Sequence, residues 1–219
     1  MPSIPSSDCA LCPRLAAFRT ENRAAFPDKF NAPVPSFGPA DARLLIVGLA
    51  PGLRGANFSG RPFTGDYAGD LLYATLLKFG FAKGTYRAVK DDGLELTGTR
   101  ITNAVRCVPP ENKPTTAEMN TCRPFLKEEI ESMPNLRVIV SLGLISHNAV
   151  LKSLGQKISA FPFGHGVQHD MGGELSLIDS YHCSRYNTNT GRLTTEMFED
   201  VFQRVMQILT NAPASLRGA

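Results

Sequence analysis

Four short, largely apolar runs stand out along the chain: RLLIVGL at 43–49, RITNAV at 100–105, RVIVSL at 137–142 and LSLIDS at 175–180. Each has the length of a strand, and the near-continuous apolar character is that of a strand buried on both faces. Apolar residues recur at helical spacing over roughly 68–80, 115–132, 145–154 and 194–210. The last of these opens at Thr194 with Glu196 and Glu199 in its first turns, a helix-start pattern. A further helical stretch covers 14–26, and 27–40, with four prolines, reads as an irregular connection. Strands alternating with helices predict a three-layer α/β/α fold around a four-stranded, mainly parallel sheet. No internal repeat, low-complexity tract or linker divides the chain. Residues 1–219 therefore read as one domain, with 1–40 as a segment packed on it.

Open α/β sheets bind ligands beyond the carboxyl ends of their strands, so the run ends locate the candidate chemistry. The first run leads into GLAPGLRGANFSGRPFTGD, residues 48–66, which holds five glycines together with Phe63 and Asp66. Neither the dinucleotide spacing G-x-G-x-x-G nor the triphosphate spacing G-x-x-x-x-G-K-[ST] is present. An aromatic ring and a carboxylate suggest a pocket for a flat ring with some chemistry attached. The plain alternative is a long surface loop with ordinary turn glycines, in which Asp66 only caps the helix that follows. The second run ends on Asn103 and passes into Arg106, Cys107 and the turn PPENKP; the third is followed by GLISHN. The fourth gives way to YHCSRYNTNTGRLT, with His182 at the strand end. Taken singly, Asn103 and His182 read more readily as strand-end residues satisfied by their neighbours.

Composition narrows the class. Hydrophobic residues make up 42% of the 219, enough for a core, and no apolar run approaches a membrane span. The N-terminus lacks the basic start and apolar stretch of a secretory signal, so the expectation is a soluble, cytoplasmic protein. A net charge of +3 is compatible with a polyanionic partner but does not argue for one. Five cysteines in a reducing compartment do not suggest disulfides. Cys9 and Cys12 form a C-x-x-C pair, Cys107 and Cys122 lie far downstream, and Cys183 stands apart. Two close thiols and two remote ones suit a four-sulfur site for zinc or an iron–sulfur cluster; a redox pair is the alternative for the C-x-x-C alone.

Three motifs, in order, carry a resemblance: the glycine loop GLAPGLRGANFSGRPFTGD, ITNAVRCVPPENKP, and HCSRYNTNTGRLT. Together they resemble the uracil-DNA glycosylase superfamily, and most closely its iron–sulfur branch, families 4 and 5. GLAP in the first motif and TGRLT in the last are similar to family 5, whereas Gly52 is a family-4 touch. The likeness runs from Cys9 to about Thr194. It implies a [4Fe–4S] cluster on Cys9, Cys12, Cys107 and Cys122. It also implies that the pocket takes an extrahelical uracil from single- or double-stranded DNA, with no membrane involved and the protein acting as a monomer.

On this resemblance Gly48, Leu49, Phe63 and Asn103 face the base, and Asp66, His182 and Asn103 are catalytic. Asn103 can donate to uracil O4 and accept from N3–H. Leu49 stands where other families carry an acid, and Asp66 in FTGD matches an acid of family 5, so the resemblance implies Asp66 as the carboxylate. His182 is assigned as the donor at O2. The segment Ser184, Arg185, Tyr186, Asn187 and Arg192 corresponds to the part that enters DNA, with Tyr186 as the wedge and two family prolines replaced by Cys183 and Arg185. The implied activity is monofunctional excision of uracil. The alternatives are a broader family-5 enzyme that also takes hypoxanthine and other modified bases, and a catalytically silent metal-bearing DNA-binding protein.

Overall fold

The computed structural model describes residues 4–211, so the ends of the expected 1–219 domain lie outside the described residues. In chain order the helices are α1 (Pro13–Ala25), α2 (Ala56–Ser59), α3 (Tyr67–Lys78), α4 (Thr116–Glu131), α5 (Leu144–Ser153), α6 (Arg185–Asn189) and α7 (Thr195–Asn211). The strands are β1 (Leu44–Gly48), β2 (Ala82–Lys83), β3 (Glu95–Leu96), β4 (Thr99–Asn103), β5 (Val138–Leu142), β6 (Gln168–Asp170) and β7 (Ser176–Ser180). The four apolar runs are β1, β4, β5 and β7, all mutually parallel, with Ile46 beside Ile101 and Val140, and Val140 beside Ile178.

The central sheet has five strands, in the order β4-β1-β5-β7-β6, where four were expected. The fifth, β6, is an antiparallel edge strand on β7. Its sequence is Gln-His-Asp, with only the middle residue buried, so no hydrophobic pattern announces it. Backbone pairing to an existing edge is enough to hold such a strand. The two-residue pair β2 and β3 is equally silent in the sequence.

Period-two alternation along each parallel strand builds the layers. Leu44, Ile46, Val138, Val140 and Ile178 face α3 and α7, against Leu72, Leu76, Phe198 and Phe202. Leu45, Val47, Ile139 and Leu177 face the other way, against Leu126 and Ile130 of α4 and Val150 and Leu151 of α5. From the central β1 the chain crosses to the edge strand β4, then returns past it to β5 and moves on to β7. The connections leaving β1 and β5 therefore run in opposite directions, which opens a crevice at the carboxyl ends of these strands.

Candidate active site

A cavity of about 410 Å³ lies in that crevice, lined by residues from all three motif segments. Leu49, Phe63, Asp66, Asn103, His182, Ser184 and Arg185, singled out in the sequence, all line it. Gly48 does not reach the lining but lies directly beneath it. A Cβ there would sit 2.4 Å from Asn103 Oδ1 and 2.6 Å from the Phe63 ring, so only glycine lets these two side chains cross the strand end.

Asn103 is the last residue of β4 and is only 3% exposed. Among the described residues no protein group hydrogen-bonds its side-chain amide, although buried amides are normally paired. Its donor and acceptor both remain for a ligand. Phe63 is buried beside it in a left-handed conformation, φ 52°, unusual for a non-glycine residue. Its ring centroid lies 6.1 Å from that of His182.

The loop that carries Phe63 is tied at almost every carbonyl. Tyr73 Oη donates to the Pro62 carbonyl at 2.6 Å, Tyr86 Oη to that of Phe63 at 3.2 Å, and Ser59 Oγ to that of Thr64 at 3.1 Å. Arg61, buried against the rings of Phe37, Tyr73 and Tyr86, donates to Thr64 Oγ1 at 2.7 Å and forms a two-pronged pair with buried Asp92 at 2.8 Å. Such ties can hold a strained residue in place.

Asp66 is the N-cap of α3, its Oδ1 accepting from the Gly69 N–H at 3.1 Å, and it also lines the cavity. Burial raises its pKa above the usual carboxylate value, partly offset by the backbone N–H groups of the helix start. The cap and the cavity-facing carboxylate are thus the same group. His182 has its pKa lowered by burial, which favours the neutral imidazole. Its ring makes no hydrogen bond among the described residues, so one ring N–H is free to donate into the cavity.

The segment after His182 is a short helix, α6, capped by Ser184. Tyr186 stands out from it at 72% exposure, which excludes its packing against a neighbouring loop. Arg185 stacks on Tyr67, 5.2 Å from the ring centroid, at the cavity wall. Asn187 is occupied: its amide donates to the His182 carbonyl at 2.8 Å and so fixes the histidine's backbone. Arg192 lies off the cavity, with its guanidinium 4.7 Å from the Tyr181 ring centroid. Two further lining residues with polar side chains, Tyr67 and Asn112, were not singled out. Asn112 belongs to the PPENKP turn and has φ 57°, as does its neighbour Glu111 at 55°. Asparagine tolerates that region better than most residues, and it was the one signal available.

The family description "Uracil DNA glycosylase superfamily" matches residues 35–206. The chain belongs to this superfamily. It is 44% identical to a type-5 uracil-DNA glycosylase of Thermus thermophilus over 91% of this chain and 93% of that one. It is 42% identical to a type-5 uracil-DNA glycosylase of Mycobacterium tuberculosis over 92% of this chain and 78% of that one. A type-4 uracil-DNA glycosylase of Sulfurisphaera tokodaii is 31% identical over 77% of this chain and 72% of its own. The type-5 matches are both stronger and longer than the type-4 one, in line with the motif resemblance.

The four cysteines expected to act together come from separate segments: Cys9 from the N-terminal loop, Cys12 at the cap of α1, Cys107 just beyond β4 and Cys122 within α4. They line one small cavity, floored by Leu15 and Val105. The thiols are not drawn in around a single point. Among the described residues the one trio of potential ligand atoms within 4.8 Å of one another is His147, His169 and Asp179. A zinc ion would bring four sulfurs to about 4 Å of one another. Four thiols from separate segments are the donor chemistry of a multi-iron cluster, in which each iron takes its own thiolate. Arg19 adds to the fit: its Nη1 lies 3.6 Å from Cys107 Sγ, and its buried Nε has no partner. Burial pushes the Cys107 thiol up to about 12 and raises Cys12 and Cys122.

Cys183 is elsewhere, fully buried in the main core with Sγ directed at the Ala68 carbonyl. The His147, His169 and Asp179 trio is a filled hydrogen-bond network. Asp179 is bonded by both imidazoles at 2.7 and 2.9 Å, and by Ser141 Oγ at 2.8 Å and the Gly164 N–H at 3.3 Å.

Proposed function

We propose that this protein excises uracil from DNA by hydrolysing its N-glycosidic bond, the first step of base-excision repair. The observation that carries the reading is the buried, unpaired amide of Asn103 on the wall of a cavity of about 410 Å³. A base reached through flipping must be read in a closed pocket by a donor and an acceptor side by side. Uracil offers O4 and N3–H in that order, and one amide answers both. Phe63 supplies the stacking face. The strong similarity to type-5 uracil-DNA glycosylases supports the same substrate.

As the bond breaks, positive charge grows on the sugar and negative charge on the base. Asp66, in its carboxylate form, stabilises the sugar cation or orients the attacking water. His182, neutral, donates to O2 and holds the departing base. Asn112 brings a second amide to the cavity and is placed to bond the substrate or the water. No side chain in this set forms a covalent link to the sugar, so the product is free base and an abasic site. DNA carrying uracil is the partner, entered by Tyr186 and bound at Ser184, Arg185 and Arg192, while Asn187 supports His182. We take the chain as one domain working as a monomer; among the described residues no helix is long and apolar enough to cross a membrane.

Cys9, Cys12, Cys107 and Cys122 would hold a [4Fe–4S] cluster. When bound it supplies a structural cross-link between the N-terminal segment, the loop after β4 and α4. Hypoxanthine presents a similar carbonyl and ring N–H pair, and the cavity volume does not exclude a purine. The test is a set of oligonucleotides with a single uracil, hypoxanthine, xanthine or thymine, incubated with the protein and then treated with alkali. Uracil strands nicked only after alkali, with thymine strands intact, are expected. Nicking of hypoxanthine as well extends the reading to a broad enzyme. An intact uracil strand contradicts it and leaves a silent DNA-binding protein.

A further inference from the structure

Arg19 lies on α1, downstream of Cys12, and is only 5% exposed. Its Nη2 donates to the Cys9 carbonyl at 2.8 Å and its Nη1 points at Cys107 Sγ at 3.6 Å. Its Nε is buried with no partner. The other two arginines of the helix have their own carboxylates, Arg14 with Glu118 at 2.8 Å and Arg23 with Asp8 at 2.6 Å. Among the described residues no carboxylate forms an ion pair with Arg19, and Asp8 reaches it only through its longer-range field. A guanidinium is always charged, and a buried charge without a counter-charge is strongly unfavourable. Among the described residues the group within contact distance of it that can carry a negative charge is the Cys107 sulfur, and only as a thiolate.

We infer that Arg19 is a positioning residue for the iron–sulfur site, which rests on the cluster reading above. It ties the Cys9 segment to the Cys107 segment, donates to the Cys107 sulfur and sets a positive charge beside the thiolates. Charge and hydrogen bonds at the sulfurs are levers on a cluster's reduction potential. A positive neighbour favours the more negative, reduced state, so Arg19 raises the potential, and it slows loss of the cluster. The plain rival is a clip that fastens the N-terminal loop through the Cys9 carbonyl and senses no cluster.

The experiment compares the anaerobically purified protein with Arg19→Met and Arg19→Lys. Three quantities are read: iron and acid-labile sulfide content, decay of visible absorbance in air, and midpoint potential by mediated redox titration. The expected result is a lower potential in Arg19→Met, with absorbance lost roughly tenfold faster, the scale of one charge-assisted hydrogen bond. Arg19→Lys, which keeps the charge without the fork, should stay near the parent potential and lose absorbance at an intermediate rate. If Arg19→Met does not fold, Arg19→Gln, uncharged but still able to bond the Cys9 carbonyl, takes its place with the same expectation. A substituted protein with lowered thermal stability but the parent's potential and retention overturns the assignment and leaves the clip. A parent without iron or sulfide overturns the cluster reading itself, a failure plainly separate from the first.

Discussion

Asp66 does two jobs that pull in opposite directions, and the conflict is measurable. As an N-cap it satisfies the Gly69 N–H, a job asparagine does equally well. As a carboxylate on the cavity it is partly desolvated, and its pKa is raised. A carboxyl whose folded pKa exceeds its unfolded one costs stability once the pH rises above the unfolded value. Asp66→Asn should therefore melt at the parent temperature or higher at pH 7, while its single-turnover rate on uracil falls on the order of a hundredfold. The parent's rate should fall on the acid side at a pH above the ordinary aspartate value, because the protonated form neither stabilises the cation nor orients water. A substituted protein within a few-fold of the parent rate would reduce Asp66 to its cap. At this scale the sequence singled out Asp66 before a helix and Asn103 and His182 at strand ends, and the fold brings all three to one cavity. It was silent where a role comes from contact, as with Asn187 beneath His182 and Arg192 on Tyr181.

The glycine loop shows why an element as irregular as 48–66 can hold a side chain rigidly. Phe63 sits at φ 52° because Tyr86 binds its own carbonyl while Tyr73, Ser59 and Arg61 bind its neighbours' polar groups, and Arg61 is in turn held by Asp92. Asp92 comes from far along the chain, so no local pattern revealed the brace. Its carboxyl is held far below the usual carboxylate range, chiefly by Arg61. The pair thus contributes stability above the unfolded pKa of Asp92 and loses it only as the pH falls through the folded one. Asp92→Ala strands a buried arginine and should cost about 3–5 kcal/mol in urea unfolding. It should also raise KM for uracil DNA as Phe63 loosens; a loss below about 1 kcal/mol would mean that Arg61 finds another partner. In α6, the helix was hidden by a polar sequence of five residues that reads as loop, yet it presents Tyr186 outward at 72% exposure. Tyr186→Ala should slow cleavage of U·A duplexes more than of single strands, where little unstacking is required. Equal losses on both would contradict the wedge and leave Tyr186 as a general DNA contact.

For the whole molecule, the parallel strands and flanking helices were readable because a sheet buried on both faces must be apolar on both. The edge strand β6 was not, because backbone pairing rather than side-chain burial holds Gln168–Asp170. Four thiols, two from the N-terminal segment, one from the loop after β4 and one from α4, line one cavity, and the proposed cluster would join these segments. Cys107→Ser should therefore lower iron content and the yield of folded protein, while Cys183→Ser should leave iron content unchanged; equal iron in both would contradict the assignment. The central claim is that the fold delivers a flipped uracil to one unpaired amide. It is tested most directly by single-turnover base release from matched uracil and cytosine oligonucleotides, with the parent, Asn103→Ala and Asn103→Asp. The parent should release uracil and spare cytosine. Asn103→Ala should lose uracil release by a factor of roughly ten or more, since an unmet partner in a desolvated pocket costs about 1–3 kcal/mol. Asn103→Asp should lose more, because it faces O4 with a charged oxygen, and it gains an acceptor for the amino group of cytosine. Parent-like uracil release and parent-like preference in Asn103→Ala would contradict the account.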